Sequence, residues 1–186
     1  FYYTIRAWRD YMTSQNIAHG QVLSLQDIET IMCRYYSYPD GSERLVDLCL
    51  IDSGDQTDAI YGYCVGREDW CLPTKGSSND MLSNFKISKI NKPDSKAYGL
   101  PLVIVDGDKY KDAIAARMQR ENGKGSWMVY QGCDMEYANQ VTAEHKVKIR
   151  KNGRPVEKWV QKKSHGDNPY LDTEVYAFAA ADIMGV

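Results

Sequence analysis

Alternating and helically spaced apolar residues divide the chain into predicted strands and helices. Residues 1–24 are predicted to form two adjacent strands with a polar turn around residues 9–10. The first strand alternates, which is typical of a strand with distinct faces. One predicted face holds Tyr3, Ile5 and Ala7, and the other holds Tyr2, Thr4 and Arg6.

A helix is predicted to begin after Ser24. Ser24 has the character of an N-cap residue, and Asp27 stands three residues later in the position of a capping box. The helix is predicted to run to about Tyr36, where the sequence SYPDGS ends it. Its predicted buried face consists of Leu25, Ile28, Ile31, Met32 and Tyr35.

The next segments predict a strand–helix–strand unit. Residues 44–51 are nearly continuous in apolar side chains, which is typical of a strand covered on both faces. Helical spacing follows over residues 56–65, and WCLP then predicts a short strand that ends at TKGSS. The crossover between the two parallel strands is expected to be right-handed.

The rest of the chain continues this mixture of elements. A polar loop is predicted over residues 76–96, and GLPLVIVDGD predicts another central strand. Asp106 or Asp108 is predicted to cap the helix KYKDAIAARMQ. GSWMVY predicts a further strand, residues 137–141 form a short apolar segment of either type, and NPYLDTEVYAFAAADIMG predicts a final helix. The predicted fold is therefore a single α/β domain, a mixed sheet flanked by helices on both faces.

Residues 146–163 stand out by their charge, and we call them the basic ribbon. They contain eight Lys or Arg and one acid, Glu157. Asn152-Gly153 at the centre is a strong signal for a β-hairpin. The charge predicts contact with DNA phosphates, although a lysine-rich edge that prevents sheet aggregation is an equal alternative. The candidate DNA-binding residues are Lys146, Lys148, Arg150, Lys151, Arg154 and Lys158.

Composition limits the class of protein. With 186 residues, of which 43% are hydrophobic, the chain can bury the core of a globular domain. Its net charge of -2 excludes a generally basic nucleic-acid-binding chain, so any basic surface is local. Five cysteines without metal-ligand spacing favour a reduced, cytosolic protein. No apolar stretch is long enough for a membrane-spanning helix, and the start within a strand predicts a fragment of a longer protein.

Candidate chemistry begins with Asp52, which ends the apolar run. Functional groups in open α/β sheets gather at the carboxyl ends of central strands. Lys75 follows the next parallel strand, so it is expected on the same edge of the sheet. The alternative for Asp52 is a helix N-cap or a turn acid, and Asp55 is either a helper acid or a solvated turn residue.

Asp172 supplies a predicted partner for Asp52. At about 100° per residue, Asp172 shares a face of the last helix with Val175, Tyr176, Ala179 and Ile183. A carboxylate on this inner face must be paired, hydrogen-bonded or bound to metal. The alternative is stabilisation of a helix N-terminus, which explains an acid in the first turn but not its choice of face.

Two carboxylates that meet at one edge favour Mg²⁺ or Mn²⁺, which prefer oxygen ligands. Two such ions about 4 Å apart can activate water and stabilise the leaving oxygen of a phosphodiester. Asp52 and Asp172 are therefore the predicted metal ligands and catalytic residues.

Five segments, taken in order, resemble the nuclease domain of the large terminase subunit of tailed phages, in the lambda-like branch. The resemblance implies a ribonuclease-H-like fold and a two-metal-ion endonuclease that cuts concatemeric double-stranded viral DNA during genome packaging. It assigns the catalytic acid roles to Asp52 and Asp172. The segments are FYYTIRAW, VDLCLIDSGDQTDAIYGYC with WCLPTKGSS, YGLPLVIVDGDKYKDAIAARM, EYANQVTAEHKV and KWVQKKSHGDNPYLDTEVYAFAAAD.

The resemblance also implies partners and missing parts. The family's first catalytic aspartate lies on a strand that would precede Phe1, and the packaging ATPase would lie further towards the N-terminus; no Walker loop occurs in this chain. The family more often has Asn-His close to the second aspartate, so His165 is a possible helper or a surface residue. The implied partners are DNA, the small terminase subunit and the portal or procapsid, in the host cytoplasm and without a membrane.

Two alternatives stay open at this point. The first is a non-catalytic DNA-binding or docking module, which the missing first strand would favour. The second is another ribonuclease-H-like nuclease of the resolvase or transposase type.

Overall fold

Helices and strands alternate along the part of the chain that the computed structural model describes, which is residues 1–38, 40–151, 153–162 and 168–186, with the backbone alone at 151. The helices are α1 Leu25–Met32, α2 Thr57–Cys64, α3 Gly107–Met118, α4 Met135–Val141 and α5 Pro169–Met184, with a 3₁₀ turn at Asp10–Met12. The strands are β1 Tyr2–Arg9, β2 Thr13–Gln21, β3 Tyr36–Ser37, β4 Glu43–Arg44, β5 Cys49–Asp52, β6 Cys71–Gly76, β7 Phe85–Lys89, β8 Pro101–Val105, β9 Trp127–Met128, β10 Glu144–Lys151 and β11 Arg154–Gln161.

A four-stranded sheet in the order β5-β6-β8-β7 forms the centre of the fold. Strands β5, β6 and β8 are parallel and β7 is antiparallel to β8. The predicted strand–helix–strand unit is confirmed as β5-α2-β6. The predicted loop at 76–96 is wrong in part, because it contains β7. That strand lies at a sheet edge with Lys86 and Ile87 exposed, so it lacks a clear apolar pattern.

Helices cover both faces of this sheet. On β5, Ile51 points into a core formed with α1 and α2, whereas Leu50 packs on the opposite side with α3 and α5. On β6, Cys71 packs on the side of α1 and α2, and Leu72 packs on the side of α3 and α5. The predicted mixed α/β class, with helices on both faces, is therefore confirmed, and the ribonuclease-H-like arrangement stays a prediction.

Strands β1 and β2 form an antiparallel pair, and β9 adds to β2 in parallel. The two strands predicted from residues 1–24 are confirmed. Their register shifts between Ile5 and Arg6, and both of these residues are buried. The predicted face of Tyr2, Thr4 and Arg6 is confirmed, because all three contact helix α5. The shift comes from one extra residue in β2, Ile17, so β1 keeps its alternation.

Helix α1 is shorter than predicted. The capping box of Ser24 and Asp27 is present, so the predicted start is confirmed. The helix ends at Met32, and Tyr36 begins β3, which pairs with β4. Tyr35 is 61% exposed, so its assignment to the buried face is wrong.

The apolar run at 44–51 is only partly a strand. Regular pairing covers Cys49–Asp52, and Leu45 is 45% exposed. Within the described residues, β5 pairs with β6 alone and β1 pairs with β2 alone. As predicted, both faces of β5 are covered by helices. The strand edge of β5 opposite β6 has no pairing strand among the described residues.

A groove lies between the open edges of β1 and β5. It is a cavity of about 430 Å³ lined by residues 1–8, residues 44–52 and part of α5. Helix α5 packs against both β1 and β5, so it spans the gap between the two sheets. Its groove-lining residues include Ala177, Ala180 and Ala181, whose small side chains leave the space open.

The remaining elements resolve the open predictions. Asp106, rather than Asp108, caps α3 by accepting from the Lys109 amide. Residues 137–141 belong to helix α4. Helix α5 is confirmed, and Gly185 ends it at a φ of 76°. Among the helices in the described ranges, none has the length and apolar character needed to cross a membrane.

Candidate active site

Asp52 is the last residue of β5, at the edge of the sheet that we call the rim. The rim consists of the carboxyl ends of β5 and β6 and the first turn of α5. Asp52 is exposed, and its Oδ1 accepts a hydrogen bond from the Gly54 amide at 2.9 Å. A Cβ atom at position 54 would lie 3.3 Å from this oxygen, so glycine leaves room for the carboxylate. The turn interaction considered for Asp52 is therefore present, and the second carboxylate oxygen is not used in it.

Asp172 reaches the rim from α5. It is accessible to solvent, yet it lines the groove, where surrounding protein atoms displace much of the water. The pKa of the Asp172 carboxyl is raised to about 6, chiefly by this partial enclosure; Lys111 lowers it, and the charges of Glu144 and Asp52 raise it. Asp52 and Asp172 therefore act on each other, as their predicted convergence requires.

Tyr176 links the two acids. It lies one turn after Asp172 on α5 and lines the same groove. Burial raises the pKa of the Tyr176 hydroxyl, and the charges of Asp52 and Asp172 and a hydrogen bond with Asp52 raise it further. Tyr176 therefore stays protonated and can donate to Asp52. The sequence placed Tyr176 on the inner face of the helix but gave it no role at the site.

A largely buried ion pair near Asp172 was not predicted from the sequence. Lys111 of α3 places its Nζ 2.8 Å from both carboxylate oxygens of Glu144, the first residue of β10. Asn168 donates to Oε1 of the same carboxylate at 2.5 Å. The three residues come from distant parts of the chain, and no spacing in the sequence connects them.

The three predicted helper residues have different positions. Asp55 is an exposed residue between β5 and α2. Lys75 is half-buried on β6 and extends its ammonium over the ring of Tyr61, 5.7 Å from the ring centre. His165 lies outside the described residues. The helper roles of all three stay predictions.

The basic ribbon forms the predicted hairpin, with β10 and β11 paired from Glu144–Gln161 to Lys151–Arg154. The cross-strand register puts Lys146, Lys148 and Arg150 on one face and Arg154 and Lys158 on the other. Residue 152 and the side chain of Lys151 lie outside the description.

The candidate DNA-binding residues of the ribbon are not equivalent. Lys146 is paired with Asp112 of α3 at 2.7 Å and with Glu157 at 3.7 Å. Trp159 donates its Nε1–H to the same Asp112 at 2.9 Å, so it packs beneath the ribbon. The exposed candidates for DNA contact are Lys148, Arg150, Arg154 and Lys158.

A second carboxylate of α5, Glu174, is fully buried. It accepts from Arg6 Nε at 2.7 Å, from Asn16 Nδ2 at 3.0 Å and from the Tyr137 hydroxyl at 2.5 Å. Arg6 also lies over the Trp127 ring, 3.6 Å from the ring centre. These contacts join β1, β2, α4 and α5 within the core, so this carboxylate is structural.

The donors at the rim fit a hard divalent cation in their chemistry. Asp52 and Asp172 offer carboxylate oxygens, the ligand type that Mg²⁺ and Mn²⁺ prefer. In the ranges that the structure describes, no three Asp, Glu, His or Cys side chains come close enough to form a metal cluster. Metal binding by the two acids stays a prediction.

The fold and the rim define a mixed α/β protein with two interacting carboxylates at the carboxyl end of a parallel sheet. A family model described as the endonuclease domain of terminase large subunit gpA matches residues 1–186, and the chain belongs to this family. Membership confirms the predicted terminase resemblance and supports a nuclease role in phage DNA packaging. Searches of curated proteins and of solved structures found no match.

Proposed function

We propose that this chain is a metal-dependent endonuclease domain of the lambda-like branch that cuts concatemeric double-stranded viral DNA during packaging. The observation that carries the proposal is that Asp52, at the end of β5, and Asp172, in the first turn of α5, line the same groove. Family membership supplies the reaction class, because a terminase nuclease domain acts on DNA. A ribonuclease-H-like arrangement, with two ions in the complete site, belongs to the same proposal.

The chain's own residues would hold and orient the reacting groups. Asp52 and Asp172 would bind Mg²⁺ or Mn²⁺, which when bound activates water and stabilises the leaving oxygen. The Gly54 amide donates to Oδ1 of Asp52 at 2.9 Å, which restricts the carboxylate. The protonated Tyr176 hydroxyl would donate to the same acid. Neighbouring groups of this kind tune a metal ligand.

The groove supports the predicted first strand. Thr4 contacts Thr173 near the start of α5, and Trp8 contacts Phe178 further along, so β1 runs in the direction of α5. Strand β5 ends near the first turn of α5 and therefore runs the opposite way. A strand between them, parallel to β5, would end at the rim and would be antiparallel to β1. We propose that a strand preceding Phe1 takes this place and brings the additional catalytic aspartate.

The proposed path of DNA follows the exposed cations of the basic ribbon. Lys148 and Arg150 share a face, and Glu144 at the base of the same strand acts electrostatically on Asp172. Cations in this position would attract phosphates towards the rim regardless of sequence. The small terminase subunit and the portal or procapsid are proposed partners, and the host cytoplasm is the proposed location.

The central test is plasmid cleavage with Mn²⁺ by the chain extended through the predicted first strand. Asp52→Asn and Asp172→Asn should each lower the cleavage rate about 100-fold or more, because each removes a charged metal ligand. Asp58→Asn is the matched control, since Asp58 is an exposed acid whose carboxylate pairs with Lys92. If the two rim variants cut like the control, the site assignment is wrong.

A second test addresses the basic ribbon. The double variant Lys148→Glu/Arg150→Glu should weaken binding of unrelated duplexes about equally and reduce the salt slope by about 1 for each lost phosphate contact. Lys92→Glu serves as the control because Lys92 lies on a different surface, in the pair with Asp58. An unchanged slope in the ribbon variant would remove the ribbon from the DNA path.

The alternative is a non-catalytic DNA-binding or docking module. It is favoured by the two-carboxylate rim, which falls short of a three-residue metal cluster within the described ranges. Salt-dependent duplex binding without calorimetric uptake of Mn²⁺ by the extended chain would support this alternative. Mn²⁺ uptake that is lost in Asp172→Asn would exclude it.

A further inference from the structure

Helix α3 clamps the base of the basic ribbon with two consecutive residues. Lys111 pairs with Glu144 through two contacts of 2.8 Å, and Asp112 pairs with Lys146 at 2.7 Å. The side chains of Lys111 and Glu144 are only 14% and 11% exposed, so solvent screens their interaction weakly. The clamp therefore fixes where β10 begins.

Asn168 connects this clamp to α5. It occupies the N-cap position, where asparagine usually accepts from a backbone amide of the first turn. In this helix its side chain makes no capping bond and instead donates to Glu144. Its backbone carbonyl accepts from the amides of Leu171 at 2.9 Å and Asp172 at 3.4 Å. Glu144 therefore positions Asn168, whose backbone carbonyl accepts the hydrogen bond from the amide of Asp172.

The clamp also sets the charge around Asp172. Three charged groups act on its carboxylate, namely Lys111, Glu144 and Asp52. Two of them are negative, so Lys111 offsets part of the repulsion between the rim acids. Without Glu144, the Lys111 ammonium would lose the partner that holds it in place.

We propose that Lys111, Glu144 and Asn168 are positioning residues that place Asp172 from the base of the basic ribbon. Their effect on catalysis rests on the proposed endonuclease function, whereas the placement of the first turn of α5 does not. Docking of the ribbon on α3 and the arrangement of the rim are then coupled, because Glu144, at the start of β10, contacts both Lys111 of α3 and Asn168 at the start of α5.

Substitutions of Asn168 separate this role from ordinary helix capping. Aspartate is as good an N-cap as asparagine and alanine is much worse. Capping alone therefore predicts that Asn168→Asp resembles the wild type and that Asn168→Ala is the weaker variant. A link to Glu144 predicts the reverse order, because the introduced aspartate would place a second carboxylate against Glu144.

Hydrogen exchange of the amides at 171 and 172 measures this order without any need for activity. We expect about 10-fold faster exchange in Asn168→Asp than in the wild type, with Asn168→Ala between them. Amides in the middle of α5 serve as the internal reference for global unfolding. Wild-type protection in Asn168→Asp would overturn the proposal.

Cleavage kinetics test the consequence for catalysis. Glu144→Gln should lower kcat about 10-fold while KM for DNA changes less than about threefold, because it misplaces a catalytic group rather than a DNA contact. Lys111→Arg keeps the ion pair and should retain most of the wild-type kcat. Lys92→Ala is the control for the loss of an exposed pair. If Glu144→Gln matches Lys92→Ala in kcat while Asp172→Asn abolishes cleavage, the positioning role is refuted and the proposed function stands. If the extended wild type does not cut DNA, the hydrogen-exchange rates of the two Asn168 variants still test whether Glu144 positions the first turn of α5.

Discussion

Asp172 and Glu174 stand two residues apart on α5 and have opposite environments. Glu174 points into the core, where Arg6, Asn16 and Tyr137 satisfy both carboxylate oxygens. Asp172 lies at the rim, where partial enclosure disfavours its charge, Lys111 stabilises it, and Glu144 and Asp52 oppose it. One helix thus carries a carboxylate whose charge is matched and a carboxylate whose charge is not.

The difference separates structural acids from functional ones. A buried carboxylate with a full set of donors contributes to a unique core and gains nothing from a further cation. An accessible carboxylate beside another carboxylate is stabilised by any cation that binds between them. Asp172 is therefore the acid of α5 that is open to a further ligand, although Glu174 has the more extensive hydrogen-bond network.

The largest expected effect is the loss of the partner of Glu174. Arg6→Met should lower the free energy of unfolding by about 3–5 kcal/mol, because it leaves a buried carboxylate without its cation. Urea denaturation measures the change. The double variant Arg6→Met/Glu174→Leu should recover most of the loss, since both charges are then absent. A single variant as stable as the wild type would contradict the structural role.

A smaller loss is expected from Tyr137→Phe. It removes one hydrogen bond to a charged, buried acceptor, which corresponds to about 2 kcal/mol. The change is measured by the same urea titration. Tyr98→Phe is a suitable control because Tyr98 is 61% exposed. If both phenylalanine variants unfold at the same urea concentration, the hydroxyl of Tyr137 does not support Glu174.

Asp172→Asn should have the opposite sign. The pKa of Asp172 is raised from 3.8 to about 6 in the folded chain, so the ionised form destabilises the fold as pH rises through this window. The asparagine variant should be more stable than the wild type by about 1 kcal/mol above about pH 6, after allowance for solvent screening. Near pH 4 the two should unfold alike. Melting curves at both pH values test this, and a difference that is larger at low pH would refute the shift.

The smallest change in stability is expected for Gly54→Ala. The added Cβ would lie 3.3 Å from Oδ1 of Asp52, so the carboxylate must shift slightly. Stability should change by less than about 0.5 kcal/mol, whereas the affinity for Mn²⁺ should fall about 10-fold in the extended chain. Gly62→Ala on α2, which has open space around it, is the control for the added methyl group.

The sequence was sufficient to bring Asp52 and Asp172 to one rim, because both depend on local patterns. Asp52 directly follows an apolar run, and Asp172 falls on the helix face marked by Val175 and Ala179. Family membership was equally accessible, since the ordered motifs extend over most of the chain. Strand β7 could not be predicted from the sequence, because an exposed edge strand lacks the apolar alternation by which strands are recognised.

The contacts of Glu144 and Glu174 could not be derived in this way. Glu174 gave a signal, because an acid within a helix that is apolar almost all round must find a buried partner. Its cation, Arg6, lies 168 residues away on β1. Glu144 gave no such signal, since its environment depends on how the basic ribbon docks on α3.

The open groove has a practical consequence for handling the protein. Its two strand edges, at β1 and β5, present backbone donors and acceptors next to apolar side chains, which makes them templates for pairing with another molecule. Solutions of the chain should therefore tend to self-associate as concentration rises, and an extended peptide that seats between the edges should act as a solubiliser. Light scattering across a concentration series, with and without such a peptide, would reveal this behaviour before any enzymology begins.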